Sequence, residues 1–240
     1  MKIFSIDIGG TGLKSAIVDE QGNLLSQRVR VGTPHPAPPE VIVEALVNLV
    51  SPLSDYEGVS VGFPGVVRQG RILTAPNLGN EVWKNFDLAG ALSSRLGKAV
   101  HVLNDADMQG LAAIVGQGVE MVITLGTGFG SALFMDGQLG PHLELSQHIF
   151  RKGETYNEQL GNTTLKKIGQ RKWNRRVRRA IDALRVLTNF DTLYIGGGNA
   201  AKIEFTLEPN IKIISNEDGL KGGAWLWRKS LTSSNPPSLE

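Results

Sequence analysis

Two glycine-rich runs, Asp7-Ile8-Gly9-Gly10-Thr11-Gly12-Leu13-Lys14 and Thr124-Leu125-Gly126-Thr127-Gly128-Phe129-Gly130-Ser131, carry the residue types that handle phosphate. Glycines there can turn backbone N–H groups toward a common point and make a concave anion site without side-chain bulk. Thr11 adds a hydroxyl, Lys14 a cation, and Asp7 can hold Mg2+ directly or through water. Taken alone, the first run also reads as a plain hairpin with a glycine turn. The second superficially suggests a dinucleotide fingerprint, but that motif must open a helix, and Ser131 to Phe134 continues as strand. A second phosphate-facing hairpin fits better, and two such loops facing across a cleft would grip a phosphoryl donor from both sides.

Three further segments sit where a strand ends. In Val100-His101-Val102-Leu103-Asn104-Asp105-Ala106-Asp107 the Asn-Asp pair falls between a strand and a helix, at the carboxyl edge of the sheet where α/β proteins place ligands. Asp105 can accept a hydroxyl proton as general base; either residue can equally be a helix cap. Tyr194-Ile195-Gly196-Gly197-Gly198-Asn199, read as strand into helix, lets a flat group such as adenine approach the backbone, or is a tight turn only. Gly62-Phe63-Pro64-Gly65 lines an acceptor pocket or simply ends its strand.

The elements that must position these residues alternate strand and helix, which means an α/β architecture. Met1 to Asp7 is apolar on both faces and is followed by a second strand through Val18; a strand at Val59 to Phe63, a helix at Asp87 to Leu96, a strand at Val100 to Leu103 and a helix at Ala106 to Val115 come next. After Glu120 the opening pattern returns. Aligning Thr11-Gly12 with Thr127-Gly128 also aligns Ser15-Ala16 with Ser131-Ala132, which reads as a weak internal duplication of two halves, each begun by a glycine-turn hairpin. Trp173, Val177, Ala180, Ile181, Leu184 and Leu187 recur at helical spacing as a buried stripe.

The 240 residues are 41% hydrophobic and 20% charged, a composition that excludes a mostly disordered chain, and zero cysteine excludes disulfides, thiolate nucleophiles and sulfur-ligated metal sites. No apolar run is long enough for a membrane span, and Asp7, Asp19 and Glu20 interrupt any signal-peptide pattern, so a cytoplasmic protein with no membrane partner is expected. Charge is balanced overall at +2, but residues 166–185 carry nine basic side chains against Asp182 alone. That segment, with Lys172, Arg175, Arg176 and Arg179 on its solvent side, suits a linear polyanion; a merely solvated face, a dimer contact and nucleic acid are the alternatives, nucleic acid the weakest.

Taken together, Asp7 to Lys14, Gly62 to Gly65, Ala75-Pro76-Asn77 followed by Trp83, Asn104-Asp105-Ala106, Leu125 to Gly130 and Gly196 to Gly198 resemble the ROK family of sugar kinases in order and spacing. Within it the chain is most similar to the polyphosphate glucokinases, whose opening motif also ends in Thr-Gly-x-Lys and which lack zinc-binding cysteines. The resemblance implies an actin-like fold of two ribonuclease-H-like α/β domains, here 1–108 and 109–216, with the active site between them. It implies a last helix near 217–229 that packs back on the first domain; residues 230–240 are expected to be a disordered tail. It implies a homodimeric kinase that transfers a phosphoryl group from polyphosphate, and from ATP as a second donor, to the 6-hydroxyl of glucose or a related hexose with Mg2+. Another hexose as acceptor, or a non-catalytic sugar or polyanion sensor, is the alternative.

Carried over, Asp105 is the base, and Asn104 and Gly65 contact the sugar. Gly9, Gly10, Thr11 and Lys14 form one phosphate loop with Asp7 as the metal residue. Gly126, Thr127, Gly128 and Gly130 form the other, and Gly196, Gly197 and Gly198 the turn near the nucleoside. The family's Glu-x-Gly-His, whose Glu and His bind sugar hydroxyls, departs here to Glu144-Leu145-Ser146-Gln147-His148. Glu144 matches, and either His148 or Gln147 takes the histidine's place; Glu154 is the nearest counterpart of a later acidic contact. His142, Glu144 and His148 as metal ligands is the remaining alternative.

Overall fold

A computed structural model describes residues 1–52, 55–215 and 218–228, so the expected tail at 230–240 lies outside the described residues. Strand β1 (Ile3–Ile8) is apolar on both faces because it runs through the middle of a sheet covered on both sides. The Gly9–Gly12 turn reverses the chain into β2 (Leu13–Val18), antiparallel to β1, and β3 (Val29–Val31) adds at the edge. Helix α1 (Pro39–Val50), opened by its proline, buries Ile42, Val43, Leu46 and Val50 on one stripe. It leads to β4 (Gly58–Phe63), parallel to β1. A small sheet of β5 (Val67–Arg68), β6 (Arg71–Ile72) and β7 (Phe86–Asp87) encloses the short helix α2 (Asn80–Trp83), whose Trp83 is fully buried and donates Nε1–H to the Ala37 carbonyl at 2.9 Å. Helix α3 (Leu88–Leu96), capped by Asp87 and ended by left-handed Gly97, hands the chain to β8 (Ala99–Asn104), parallel to β4.

Helix α4 (Asp105–Ala113) crosses from this sheet to a second one. There β9 (Val119–Leu125) and β10 (Phe129–Met135) form an antiparallel hairpin, extended by β11 (Gln138–Leu139). A 3₁₀ turn at Leu145–Gln147, β12 (Ile149–Arg151), β13 (Glu154–Thr155), α5 (Tyr156–Leu160), α6 (Asn162–Ile168) and the long α7 (Gln170–Thr188) follow. Strands β14 (Thr192–Gly196), parallel to β9, and β15 (Ile211–Ile213), parallel to β14, complete the sheet. The strand orders, β3-β2-β1-β4-β8 and β11-β10-β9-β14-β15, correspond position by position in sense as well as order. The weak repeat in the sequence thus has a three-dimensional counterpart, with Thr11-Gly12 and Thr127-Gly128 at equivalent hairpin turns.

Three details differ from the sequence reading. Leu187 is 60% exposed, because the last turn of α7 runs past the core that Trp173, Val177, Ala180, Ile181 and Leu184 fill. Strand β14 passes into a 3₁₀ turn at Ala200–Lys202 instead of a full helix. The final segment is a short helix, α8 (Asp218–Lys221), continued as 3₁₀ at Gly222–Trp227. Two glycines draw it tight: a Cβ on Gly222 would lie 1.7 Å from the Met108 carbonyl oxygen of α4, and one on Gly223 2.3 Å from Ser5 Oγ of β1. Trp227 Nε1–H then donates to Ser60 Oγ of β4 at 2.8 Å, fixing the segment against the first sheet. Among the described residues no helix is long and apolar enough to cross a membrane. Gly222→Ala is expected to force this segment off α4 and to destabilise the protein by about 2–3 kcal/mol, since backbone cannot yield as a side chain can. The midpoint of thermal unfolding, read against Gly219→Ala, where a Cβ meets open space, checks it.

Candidate active site

A cleft of about 510 Å³ opens between the two sheets. Asn104 and Asp105, where β8 becomes α4, lie on its floor. Asn104 is the N-cap of α4: its Oδ1 accepts from the N–H groups of Ala106 and Asp107 at 2.8 and 3.1 Å. Its Nδ2 donates to the Gly65 carbonyl at 3.0 Å, so this side chain serves as both helix cap and tie to the loop after β4. Gly65 lines the cleft where a Cβ would lie 2.0 Å from the Thr74 carbonyl oxygen; close packing requires the glycine. Asp105 is thereby held at the first helical position. Burial pushes its carboxyl up to about 7, helped by the negative charges of Asp7, Asp107 and Glu144 and opposed by the Ala106 N–H.

The two glycine loops face this carboxylate. Gly9, Gly10, Thr11, Asp7 and Lys14 line one wall, and Gly126, Thr127, Gly128 and Gly130 the other. Carbonyls in both loops are engaged by protein donors. Gly9 O accepts from Thr33 Oγ1 at 2.6 Å and Gly10 O from His35 Nε2 at 3.1 Å; Gly126 O accepts from the Asn162 N–H at 3.0 Å and from Asn199 Nδ2 at 3.1 Å. These oxygens are therefore satisfied away from an incoming anion. Lys14 Nζ donates to Asp7 Oδ2 at 2.7 Å. Of the third glycine run, Gly197 and Gly198 reach the cleft and Gly196 does not. Gly197 has φ +86° and a Cβ there would lie 2.3 Å from the Leu125 carbonyl oxygen, so the turn's fit on β9 already explains it.

At the other end of the cleft Glu144 is present and His148 is not. After Glu144 the 3₁₀ turn, closed by the His148 N–H on the Leu145 carbonyl at 3.1 Å, rotates His148 outward toward Tyr156, 6.4 Å between ring centres. The His142, Glu144 and His148 ligand set therefore does not assemble. The histidine that lines the cleft is His142, two residues before Glu144, with Ser146 and Gln147 beside it. Glu154 is exposed on β13 and accepts from Gln159. Lys172, Arg175 and Arg179 are exposed on α7, outside the cleft, while Arg176 is half-buried against the Gln159 carbonyl at 3.4 Å.

The sequence reading missed Arg30, Gln109, Asn157, Asn162 and Asn199 as lining residues. Arg30 had a findable signal: it is directly opposite Lys14 in the β2–β3 register, and so shares its face of the sheet. Its guanidinium packs where a Cβ on Gly12 would lie, 2.8 Å from Nε.

A family model described as the ROK family matches residues 3–141, more than half of the chain. The chain belongs to the ROK family. It is 32% identical over 211 residues to a polyphosphate glucokinase from Mycobacterium tuberculosis, covering 84% of this chain and 79% of that one. Among solved structures it resembles an inorganic polyphosphate/ATP-glucomannokinase from Arthrobacter sp. strain KM, with TM-score 0.84, 34% identity, and 93% and 97% of the two chains covered. A ROK family glucokinase from Streptomyces griseus, solved with glucose and AMPPNP, shares the fold at TM-score 0.74 and 22% identity over 94% of this chain and 99% of that one. The actin-like α/β architecture of ROK sugar kinases is thus the architecture of this protein.

An acid whose folded pKa lies above its ordinary value of 3.8 costs stability progressively as pH rises toward about 7 and fully above it. Asp105→Asn removes that cost. The variant's melting temperature is expected to gain on the wild type's between pH 5 and pH 8, and calorimetry at the two pH values checks it.

Proposed function

We propose that the protein is a glucokinase that transfers the terminal phosphoryl group of inorganic polyphosphate, and of ATP as a second donor, to the 6-hydroxyl of glucose. The observation that carries this is Asp105: one carboxylate poised near neutrality at the head of a helix, in a cleft lined by two glycine loops. Its relatives named polyphosphate glucokinase support the choice of donor and acceptor.

In this reading the donor lies along Gly9–Thr11 and Gly126–Gly128, and Glu144 and the Gly65 loop orient the sugar. The hydroxyl oxygen attacks the terminal phosphorus, its proton passes to Asp105, and the bond to the bridging oxygen breaks, leaving glucose 6-phosphate and a donor shorter by one phosphate. Positioning and charge neutralisation supply most of the rate. Among the described residues no group of three His, Asp or Glu side chains is arranged to enclose a metal, whereas Asp7 offers a single carboxylate, 18% exposed, to the cleft. That donor set fits Mg2+ held chiefly by water and phosphate oxygens, which would neutralise charge on the donor. The exposed cations of α7 suit the remainder of a long polyanion.

Glucose 6-phosphate formation tests the reading. With polyphosphate, Asp105→Asn is expected to lower kcat by roughly 10²–10⁴. The wild-type kcat/KM should fall about tenfold per pH unit below pH 7, as Asp105 becomes protonated. No product above the variant's background with either donor would refute the assignment. Arg30→Ala is expected to raise the KM for polyphosphate about tenfold, the worth of one charge-assisted contact, and to leave that for glucose unchanged. Steady-state kinetics with each substrate varied in turn reads this.

A further inference from the structure

The acceptor end of the cleft contains a chain of polar side chains, buried at Asp107 and exposed at Gln147, of which the transfer step uses only Glu144. Asp107, on α4 two residues beyond Asp105, is 2% exposed, and its Oδ2 accepts from His142 Nδ1 at 2.9 Å. The ring is itself 10% exposed; Nε2 is buried without a hydrogen-bond partner, 3.7 Å from Glu144 Oε2. Glu144 Oε1 accepts from Ser146 Oγ at 2.5 Å, and Ser146 Oγ from Gln147 Nε2 at 3.0 Å. The five side chains come from α4 and from one loop, so the chain joins the helix that carries Asp105 to the segment that departs from the family's Glu-x-Gly-His.

The charge state follows from counting protons. Burial pushes the Asp107 carboxyl up, while its hydrogen bond to His142 and the charge of that ring work against the shift; with Asp107 ionised, a neutral imidazole must place its one N–H on Nδ1 to meet it. Nε2 would then present a lone pair to the Glu144 carboxylate, a repulsive arrangement in a buried place. An imidazolium gives an N–H to each side and places a cation between two anions. We propose that Asp107 and His142 are positioning residues: His142, held by Asp107, stands as a cation behind Glu144 and fixes that carboxylate toward the hydroxyl groups of the phosphoryl acceptor. The inference rests on the reading of Glu144 as an acceptor contact. It also accounts for the displaced motif, since the histidine reaches Glu144 from two residues before it.

Burial alone would push the imidazolium down, but the Asp107 hydrogen bond and the charges of Asp107, from α4, and Glu144, from its own loop, outweigh it and push His142 up to about 10. The same contact and the Ser146 hydroxyl hold Glu144 below the usual carboxylate range against its own burial. Asp105 is the next acid, coupled to both carboxylates.

Nitrogen-15 NMR of the histidine rings in the full chain provides a readout independent of turnover. There are four histidines, and the His142 signals are assigned by their loss in His142→Gln. The wild-type ring is expected to stay doubly protonated through pH 8, and in Asp107→Asn to lose its proton below that. A wild-type ring that titrates at the ordinary 6.5 overturns the chain. In kinetics, Asp107→Asn should raise the KM for glucose roughly 10- to 100-fold, the loss of a hydrogen bond to a charged group, with the KM for polyphosphate unchanged. The glucose KM should climb further between pH 6 and pH 8 in the variant and stay flat in the wild type. If Asp107→Asn does not fold, His142→Gln, which keeps an uncharged N–H donor, should still raise the glucose KM but without the pH dependence. A fall in kcat with both KM values intact overturns the positioning role. If the wild type phosphorylates no sugar, the acceptor role falls with the glucokinase reading, whereas a ring that titrates normally in an active enzyme overturns the chain alone.

Discussion

The Asn104 side chain ties together the parts of the molecule on which the chemistry depends. Its oxygen caps α4 and its nitrogen holds the Gly65 carbonyl. One buried amide therefore sets where the first helical residue, Asp105, stands relative to the loop after β4. A helix N-terminus ordinarily favours a carboxylate as anion. Here burial and three neighbouring acids outweigh that preference, leaving Asp105 close to neutrality in its affinity for a proton. A carboxylate of that kind suits the proposed general base, ionised often enough to act and still able to hold the proton it takes.

Helix α4 is also the structural link between the halves. Met108 and Leu111 pack with Val122, Phe134 and Tyr194 of the second sheet, while Gly222 and Gly223 bring the last segment against α4 and the first sheet. Beyond α4 the chain turns into β9 through residues whose N–H groups, on Val115, Gly116 and Gln117, all bond to the buried Glu120 carboxylate, with the Tyr194 hydroxyl as a fourth donor. A fully satisfied buried carboxylate of this type rigidifies the connection it serves. The two glycine loops accordingly line one cleft beside a helix anchored at both ends.

The acceptor end shows how a family motif can be displaced while its parts are retained. Glu144 and a histidine are both in the cleft, but the histidine precedes the glutamate, and Ser146 stands where the motif has glycine. The serine hydroxyl bonds the Glu144 carboxylate. Substitution and displacement thus serve the same carboxylate from opposite sides.

Much of this was legible in the residues themselves. The glycine runs read correctly as hairpin turns because a phosphate-facing turn demands residues without Cβ, and the repeat was visible because both halves begin with the same demand. Asn104-Asp105 was legible because a cap must stand where a strand ends and a helix begins. What local pattern could not show was anything set by packing between distant segments. Which histidine faces Glu144 depends on a 3₁₀ turn that rotates His148 away and on Asp107, 35 residues from His142 in the chain, drawing that ring inward. Arg30 enters the cleft only because β3 pairs with β2 in one register. The sequence by itself determined the main strands and helices, the two glycine turns and the place of Asp105, since each is written within a few consecutive residues; the tertiary structure alone decided which side chains surround Glu144 and the proton affinity of Asp105, because both arise from charges and contacts that only folding brings together.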